Sequence, residues 1–193
     1  MSTLSMKALM IGGSVAVVMS LVAGSSARLV RAQAPASQDM VERGKYLVGI
    51  TGCHDCHSPK LEGMKPDPAR ILSGRPSTTK VPSKADGEVH ASEDLTAWTG
   101  GWGQSVASNL TPDPATGIGT RYTEAKFVQT MRTGKKPEGV AVMPPMPVDV
   151  YVNMKDDDLK AIYAYLKTIT PIRNAVRAGL VPPAGAAPAR GRQ

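Results

Sequence analysis

Cysteine, histidine and aromatic residues are all scarce in this chain of 193 residues. There are two cysteines, three histidines and one phenylalanine, and aromatics make up 4% of the whole. A zinc site built on Cys53 and Cys56 needs two more thiols or imidazoles at ligand spacing, and His90 is the only histidine outside the run that holds both cysteines. So little aromatic bulk is low for a core of this size, which leaves room for another apolar body to fill the interior. Lysine and arginine exceed aspartate and glutamate by 23 to 16, a net charge of +7. That excess suits an acidic partner surface, and equally suits ordinary solubility.

What is present is Cys53-His54-Asp55-Cys56-His57. A C-x-x-C-H run is the attachment pattern of a c-type haem. Two thiols three residues apart on a tight turn can each add to one vinyl group of a porphyrin, and the adjacent imidazole is then placed to ligate iron. A redox dithiol normally follows a strand in a βαβ unit, whereas the residues before Cys53 have helical spacing. The predicted cofactor is therefore one covalent haem c, held by Cys53 and Cys56 and ligated by His57. It uses both thiols, so no structural disulfide remains, and its porphyrin supplies the apolar volume that the aromatics do not. His54, between the thiols, is expected to face solvent.

Residues 1–34 have the order of a secretory leader. Lys7 precedes an uncharged run from Ala8 to Ala27, and Arg28 and Arg31 precede Ala32-Gln33-Ala34. Cleavage after Ala34 would place Pro35 first, which signal peptidases tolerate poorly, so cleavage after Ala27 or retention of residues 8–27 as a membrane anchor stays open. Export is what covalent haem attachment requires, and the expected location is periplasmic. Removing the leader takes away Lys7, Arg28 and Arg31 and no acidic residue.

Along the rest of the chain, a helix is predicted from Asp39 to about Gly52, with Met40, Tyr46, Leu47 and Ile50 at helical spacing. Gly44 within it costs about 1 kcal/mol relative to alanine, which points to close approach by another helix. Ser58 to Tyr122 is rich in turn formers and is expected to be a long insertion wrapping the haem edges. Its Trp98 and Trp102 are candidates to cover the haem edge or reach a propionate, and Arg75 is another candidate for a propionate; His90 reads as a surface loop residue. Thr123 caps a helix over Glu124 to Thr133, with Phe127, Val128 and Met131 inward and Gly134 ending it. Arg132, Lys135 and Lys136 form a basic cluster, read as a solvated helix end or a docking point for a redox partner. Met143-Pro144-Pro145-Met146-Pro147 is stiff and non-helical, the rigidity a weak thioether ligand needs. The last helix runs from about Asp156 to Thr168, started by three aspartates and lined by Leu159, Ile162, Tyr163 and Leu166.

With an N-terminal helix leading into the haem motif, a Met-Pro loop, and a closing helix containing Ala164-Tyr165-Leu166-Lys167, the chain resembles the class I c-type cytochromes. Arg43-Gly44-Lys45-Tyr46-Leu47-Val48, Asn109-Leu110-Thr111-Pro112-Asp113, Thr116-Gly117-Ile118-Gly119 and Met146-Pro147 are similar to the haem domains of cytochrome subunits of bacterial alcohol, aldehyde and gluconate dehydrogenases. Those subunits usually carry three haems, and this chain has one motif. The resemblance implies a mainly α cytochrome c fold over residues 35–172, with N- and C-terminal helices packed around the haem and Gly44 meeting the closing helix near Ile162 and Tyr165; the tail over 173–193 is expected to be disordered from its composition. The resemblance also implies a methionine as sixth iron ligand, carried onto Met146, with Met143 and Met154 as rivals.

The expected function is that of an electron carrier rather than an enzyme: a single haem passing electrons between redox proteins, such as a dehydrogenase on one side and a terminal oxidase or another cytochrome on the other. Nucleic acid is not an expected partner. The chain is expected either as a free carrier or as the electron-transfer subunit of a larger dehydrogenase, docked through the Ser58 to Tyr122 insertion; the alternatives are a haem enzyme such as a peroxidase, or a gas sensor whose distal methionine leaves iron.

Overall fold

A computed structural model describes residues 36–84 and 86–177. Both the leader with its apolar run over residues 8–27 and the end of the tail lie outside the described residues; among the described residues no helix is long and apolar enough to cross a membrane.

Helix α1 spans Gln38–Ile50 and starts where Ser37 accepts a hydrogen bond from the Met40 amide. Its inward stripe is Gly44, Leu47 and Val48. Tyr46 and Ile50 are exposed, so only part of the apolar periodicity faces the core. The reason is the crossing with the last helix, α5, at Asp156–Leu166. A β-carbon on Gly44 would stand 1.9 Å from the Ala161 carbonyl oxygen and 2.8 Å from Tyr165 Cβ. The two backbones therefore touch where a side chain would separate them, and that contact sets which face of α1 is buried. Arg43 closes the crossing from outside, its Nη2 lying 2.5 Å from Asp158 Oδ1.

Helix α1 ends at Thr51, whose amide bonds the Leu47 carbonyl, and Gly52 at φ 74° turns the chain directly into α2, Cys53–His57. Helix α3, Glu124–Thr133, is capped by Thr123 and stopped by Gly134 at φ 63°. Phe127, Thr130 and Met131 are its buried residues, with Val128 partly covered. A four-residue helix not expected from the sequence, α4 at Val148–Tyr151, starts at Pro147 and separates the methionine loop from α5. The α5 aspartates do more than start that helix: Asp156 pairs with Arg132 of α3, and Asp158 with Arg43 of α1. The core joins Leu47 and Val48, Ile118, Phe127 and Met131, Tyr151, and Leu159, Ile162 and Leu166.

The Ser58–Tyr122 insertion is more ordered than its composition suggests. It holds an antiparallel sheet, β1 (His90–Ala91), β2 (Ala97–Gly100) and β3 (Gly103–Val106), in that spatial order. Gly100 pairs with Gly103 across a two-residue turn, a hairpin that Gly100-Gly101 between strand-like neighbours signals. Asp94 braces the base of the hairpin, taking hydrogen bonds from the Thr79, Ser92 and Thr96 hydroxyls at 2.6 to 2.8 Å. His90 opens β1 and is bonded to Asp86 at 2.7 Å instead of standing in a loop.

The Asn109-to-Gly119 stretch folds on itself. Asn109 takes bonds from the Thr111 amide and hydroxyl, and Asp113 takes them from the amides of Ala115 and Thr116 and the Thr116 hydroxyl. Gly117 and Gly119 are required because a β-carbon would fall 2.1 Å from the Thr111 oxygen and 2.4 Å from the Pro112 oxygen. The chain also stays packed beyond residue 172: Asn174 is buried and donates to the carbonyls of Ser73 and Arg75.

Candidate functional site

The α1–α2 junction delivers Cys53, Cys56 and His57 to one wall of an apolar cavity of about 360 Å³. Leu110 and Ile118 come to it from the folded loop, Phe127 and Met131 from α3, and Ile162 and Leu166 from α5. Met143 and Met146 arrive from the proline-stiffened loop. The volume falls in the range of cofactor pockets, and an apolar wall with a few placed polar groups is their usual chemistry.

His57 is buried, and its Nδ1 lies 2.7 Å from the Ser108 carbonyl oxygen. A carbonyl only accepts, so Nδ1 carries the proton and Nε2 keeps its lone pair. Burial, outweighing that hydrogen bond, pushes the imidazole pKa below its usual value, so the ring is held neutral. A neutral imidazole oriented by a bond to its other nitrogen is what metal ligation requires. Burial pushes both thiols up, with Asp55 adding to it at each, so neither is poised as a thiolate redox centre. Thr51 Oγ1 lies 3.4 Å from Cys53 Sγ.

The methionine loop is fastened from two sides. Tyr151 of α4 donates its hydroxyl to the Thr51 carbonyl at 2.7 Å, joining the loop's far end to the turn that starts the cysteine motif. Burial, with the nearby thiols adding to it, pushes the Tyr151 hydroxyl up to about 12, so it stays a donor across the physiological range. On the other side Ser105 of β3 donates to the Pro144 carbonyl. Of the three methionines considered, Met143 and Met146 line the cavity and Met154 is not among its lining residues.

The remaining sequence candidates separate. Trp98 is buried and lines the cavity, as expected of a residue covering a cofactor edge. Trp102 is outside the lining; its indole N–H is spent on Ser105 Oγ at 3.2 Å. Arg75 is buried elsewhere, donating to the carbonyls of Thr79, Ser77 and Val176. His54 is half-buried against Ser58 Oγ and does not line the cavity. The basic cluster divides too. Arg132 binds Asp156 and the carbonyls of Val152 and Met154, while Lys136 turns to the cavity. Sequence reasoning missed Tyr151, Ser108, Arg121 and Arg177. A Val-x-x-Tyr after a helix-starting proline was the available hint for Tyr151; the other three left no local signal.

The cytochrome c family model matches residues 41–170. This chain belongs to the cytochrome c family. That membership carries with it haem c as the cofactor and electron transport as the general role. The cavity fits such a cofactor: its walls are apolar, two thiols and a neutral imidazole stand together on one of them, and methionines come from a loop held in place on both sides.

Among relatives, the gluconate 2-dehydrogenase cytochrome c subunit of Pantoea cypripedii is 29% identical over 86% of this chain and 31% of its own. The cytochrome c subunit of the quinone-dependent alcohol dehydrogenase of Gluconobacter oxydans is 28% identical over 67% of this chain and 21% of its own. The fructose dehydrogenase cytochrome subunit of Gluconobacter japonicus is 27% identical over 77% and 26%. The chain thus spans about a third or less of the length of these relatives.

Proposed function

We propose that this cytochrome c is an exported, single-haem electron carrier. Cys53 and Cys56 would hold its haem covalently, and His57 and Met146 would ligate the iron. It takes electrons from a dehydrogenase and gives them to a terminal oxidase or another cytochrome. The observation that carries the reading is His57: a buried, neutral imidazole with Nδ1 committed to Ser108, set between two thiols and a methionine loop across an apolar cavity.

When bound, haem c supplies a one-electron ferrous–ferric couple. The chain's own contribution is positional. Ser108 holds the imidazole ring in one tautomer, Tyr151 and Ser105 hold the methionine loop, and the apolar walls exclude water. A His/Met pair raises the potential and closes iron to substrates, so the residues favour electron transfer over catalysis at iron. Met146 is preferred to Met143 because Pro147 follows it and starts α4, so the α4–Thr51 bond acts on its side of the loop. The dehydrogenase as donor is supported by what the relatives are named for. Export to the periplasm rests on the leader pattern of residues 1–34.

The test is an optical spectrum of the purified protein, oxidised, reduced, and reduced under carbon monoxide, with a pyridine haemochrome count. A c-type reduced spectrum, one haem per chain, a weak far-red methionine–iron absorption and no response to carbon monoxide are expected. Rapid carbon monoxide binding with no far-red band would overturn the closed-carrier reading in favour of an enzyme or sensor.

A further inference from the structure

Three cations reach the cavity from three separate segments. Arg121 stands between the folded loop and α3, Lys136 in the turn after α3, and Arg177 after α5. Lys136 is held there by its backbone: its amide donates to the Val140 carbonyl at 2.8 Å, and its carbonyl accepts from the Gly139 amide at 2.8 Å. Its ammonium is pushed below the usual lysine range, first by burial and then by the positive charges of Arg177 and Arg121. The anion set against this group is Glu138, whose Oε1 lies 4.0 Å from Arg121 Nη1, both side chains exposed. Asp55, the acidic residue among those lining the cavity, belongs to α2 with the cysteines.

Arg121 and Arg177 are exposed and Lys136 is half-buried, and like charges gathered at the mouth of an apolar cavity repel one another, a repulsion that an anion seated among them relieves. A haem brings two carboxylates. The other candidates for those carboxylates are already engaged, Arg75 on backbone carbonyls and the Trp102 N–H on Ser105. We propose that Arg121, Lys136 and Arg177 form the binding site for the haem propionates. The inference rests on the haem reading above and adds the direction of the cofactor: its carboxylate edge faces the α3 C-terminal turn and the segment after α5, and its vinyl edge faces α2. Arginine offers a planar fork suited to a carboxylate, and Lys136 a point charge.

The test uses the haem-loaded protein and the variants Arg121→Gln, Lys136→Gln and Arg177→Gln, with Lys135→Gln as a control for charge on the same turn. Haem content is counted by pyridine haemochrome, the propionate bending bands are read by resonance Raman, and the reduction potential is titrated. The three cavity variants are expected to keep their haem, shift the propionate bands and lower the potential, while Lys135→Gln leaves the bands in place. Lys136→Arg should restore the wild-type bands, which a merely structural role would not require. Haem fully attached with wild-type bands in all three glutamine variants overturns the propionate site alone. A wild-type protein that carries no covalent haem overturns the reading beneath it.

Discussion

Ser105 on β3 donates its hydroxyl to the carbonyl of Pro144 across 2.5 Å, so the insertion's hairpin holds the loop that carries both cavity methionines. Trp102, one residue before the strand, donates to the same hydroxyl and fixes its orientation. The sheet thus braces the candidate sixth ligand in addition to covering the cavity edge.

Removing that hydroxyl with Ser105→Ala should cost about 1 kcal/mol of stability, the usual net worth of one hydrogen bond. The loss should fall on the loop. Followed with temperature, the far-red methionine–iron absorption is expected to fade several degrees earlier in the variant, before the helical circular dichroism changes. Fading of both together at the wild-type temperature would mean the bond does not hold the loop.

Met146→Ala should leave the haem covalently attached and open the iron to carbon monoxide. Met143→Ala should leave the iron closed. Rapid carbon monoxide binding in the second variant and none in the first would reverse the assignment.

Gly44→Ala places a methyl group where the Ala161 carbonyl already stands. The helices must part, and overpacking of this kind costs about 1 to 3 kcal/mol. Urea denaturation should show a lower midpoint with an unchanged slope. Gly49→Ala, whose added carbon meets nothing within 4 Å, should be neutral or slightly stabilising on the same helix.

Asp94 gives the fold an acid-sensitive point. Burial favours its neutral form, but hydrogen bonds from Thr79, Ser92 and Thr96 outweigh burial and hold the carboxyl below its usual range. A depressed folded-state value means that the carboxylate stabilises the fold above the ordinary carboxyl pKa of about 4 and loses that contribution as pH falls through the folded value. Asp94→Asn should therefore cost about 1 to 2 kcal/mol at pH 7 and show less further loss on acidification than the parent. Parallel stability curves for the two proteins from pH 7 to pH 3 would remove Asp94 from the account.

Much of the architecture was readable because it is encoded locally. Thr123 and Gly134 bracket α3 by capping chemistry, the aspartates start α5, and Gly44 marks a helix crossing by the cost it would otherwise carry. Cys53, Cys56 and His57 lie within five residues, so their convergence on one cavity wall needed no tertiary information. The hairpin at Gly100–Gly103 was missed because proline, glycine and aspartate around it dominate the composition, although the paired glycines between Thr99 and Trp102 were the signal. Lys136 could not be separated from Arg132 and Lys135 by sequence. Which of three neighbouring cations turns inward depends on the turn closed by Val140 and on the distant Asp156, which takes Arg132 away. Tyr46 and Ile50 have helical spacing but face outward because the Gly44–Ala161 contact, made with a residue more than a hundred positions on, decides the rotation of α1.

Asn174 lies past the last helix and bonds backbone carbonyls at Ser73 and Arg75, about a hundred positions earlier. Contacts of that separation require nearly the whole chain to close before they return any free energy. During synthesis, Cys53 and Cys56 therefore emerge long before the segment that completes the domain behind them. Until that segment closes, the motif lies on a wall that α3, the methionine loop and α5 have yet to cover. The cavity is therefore among the last parts of the domain to be enclosed.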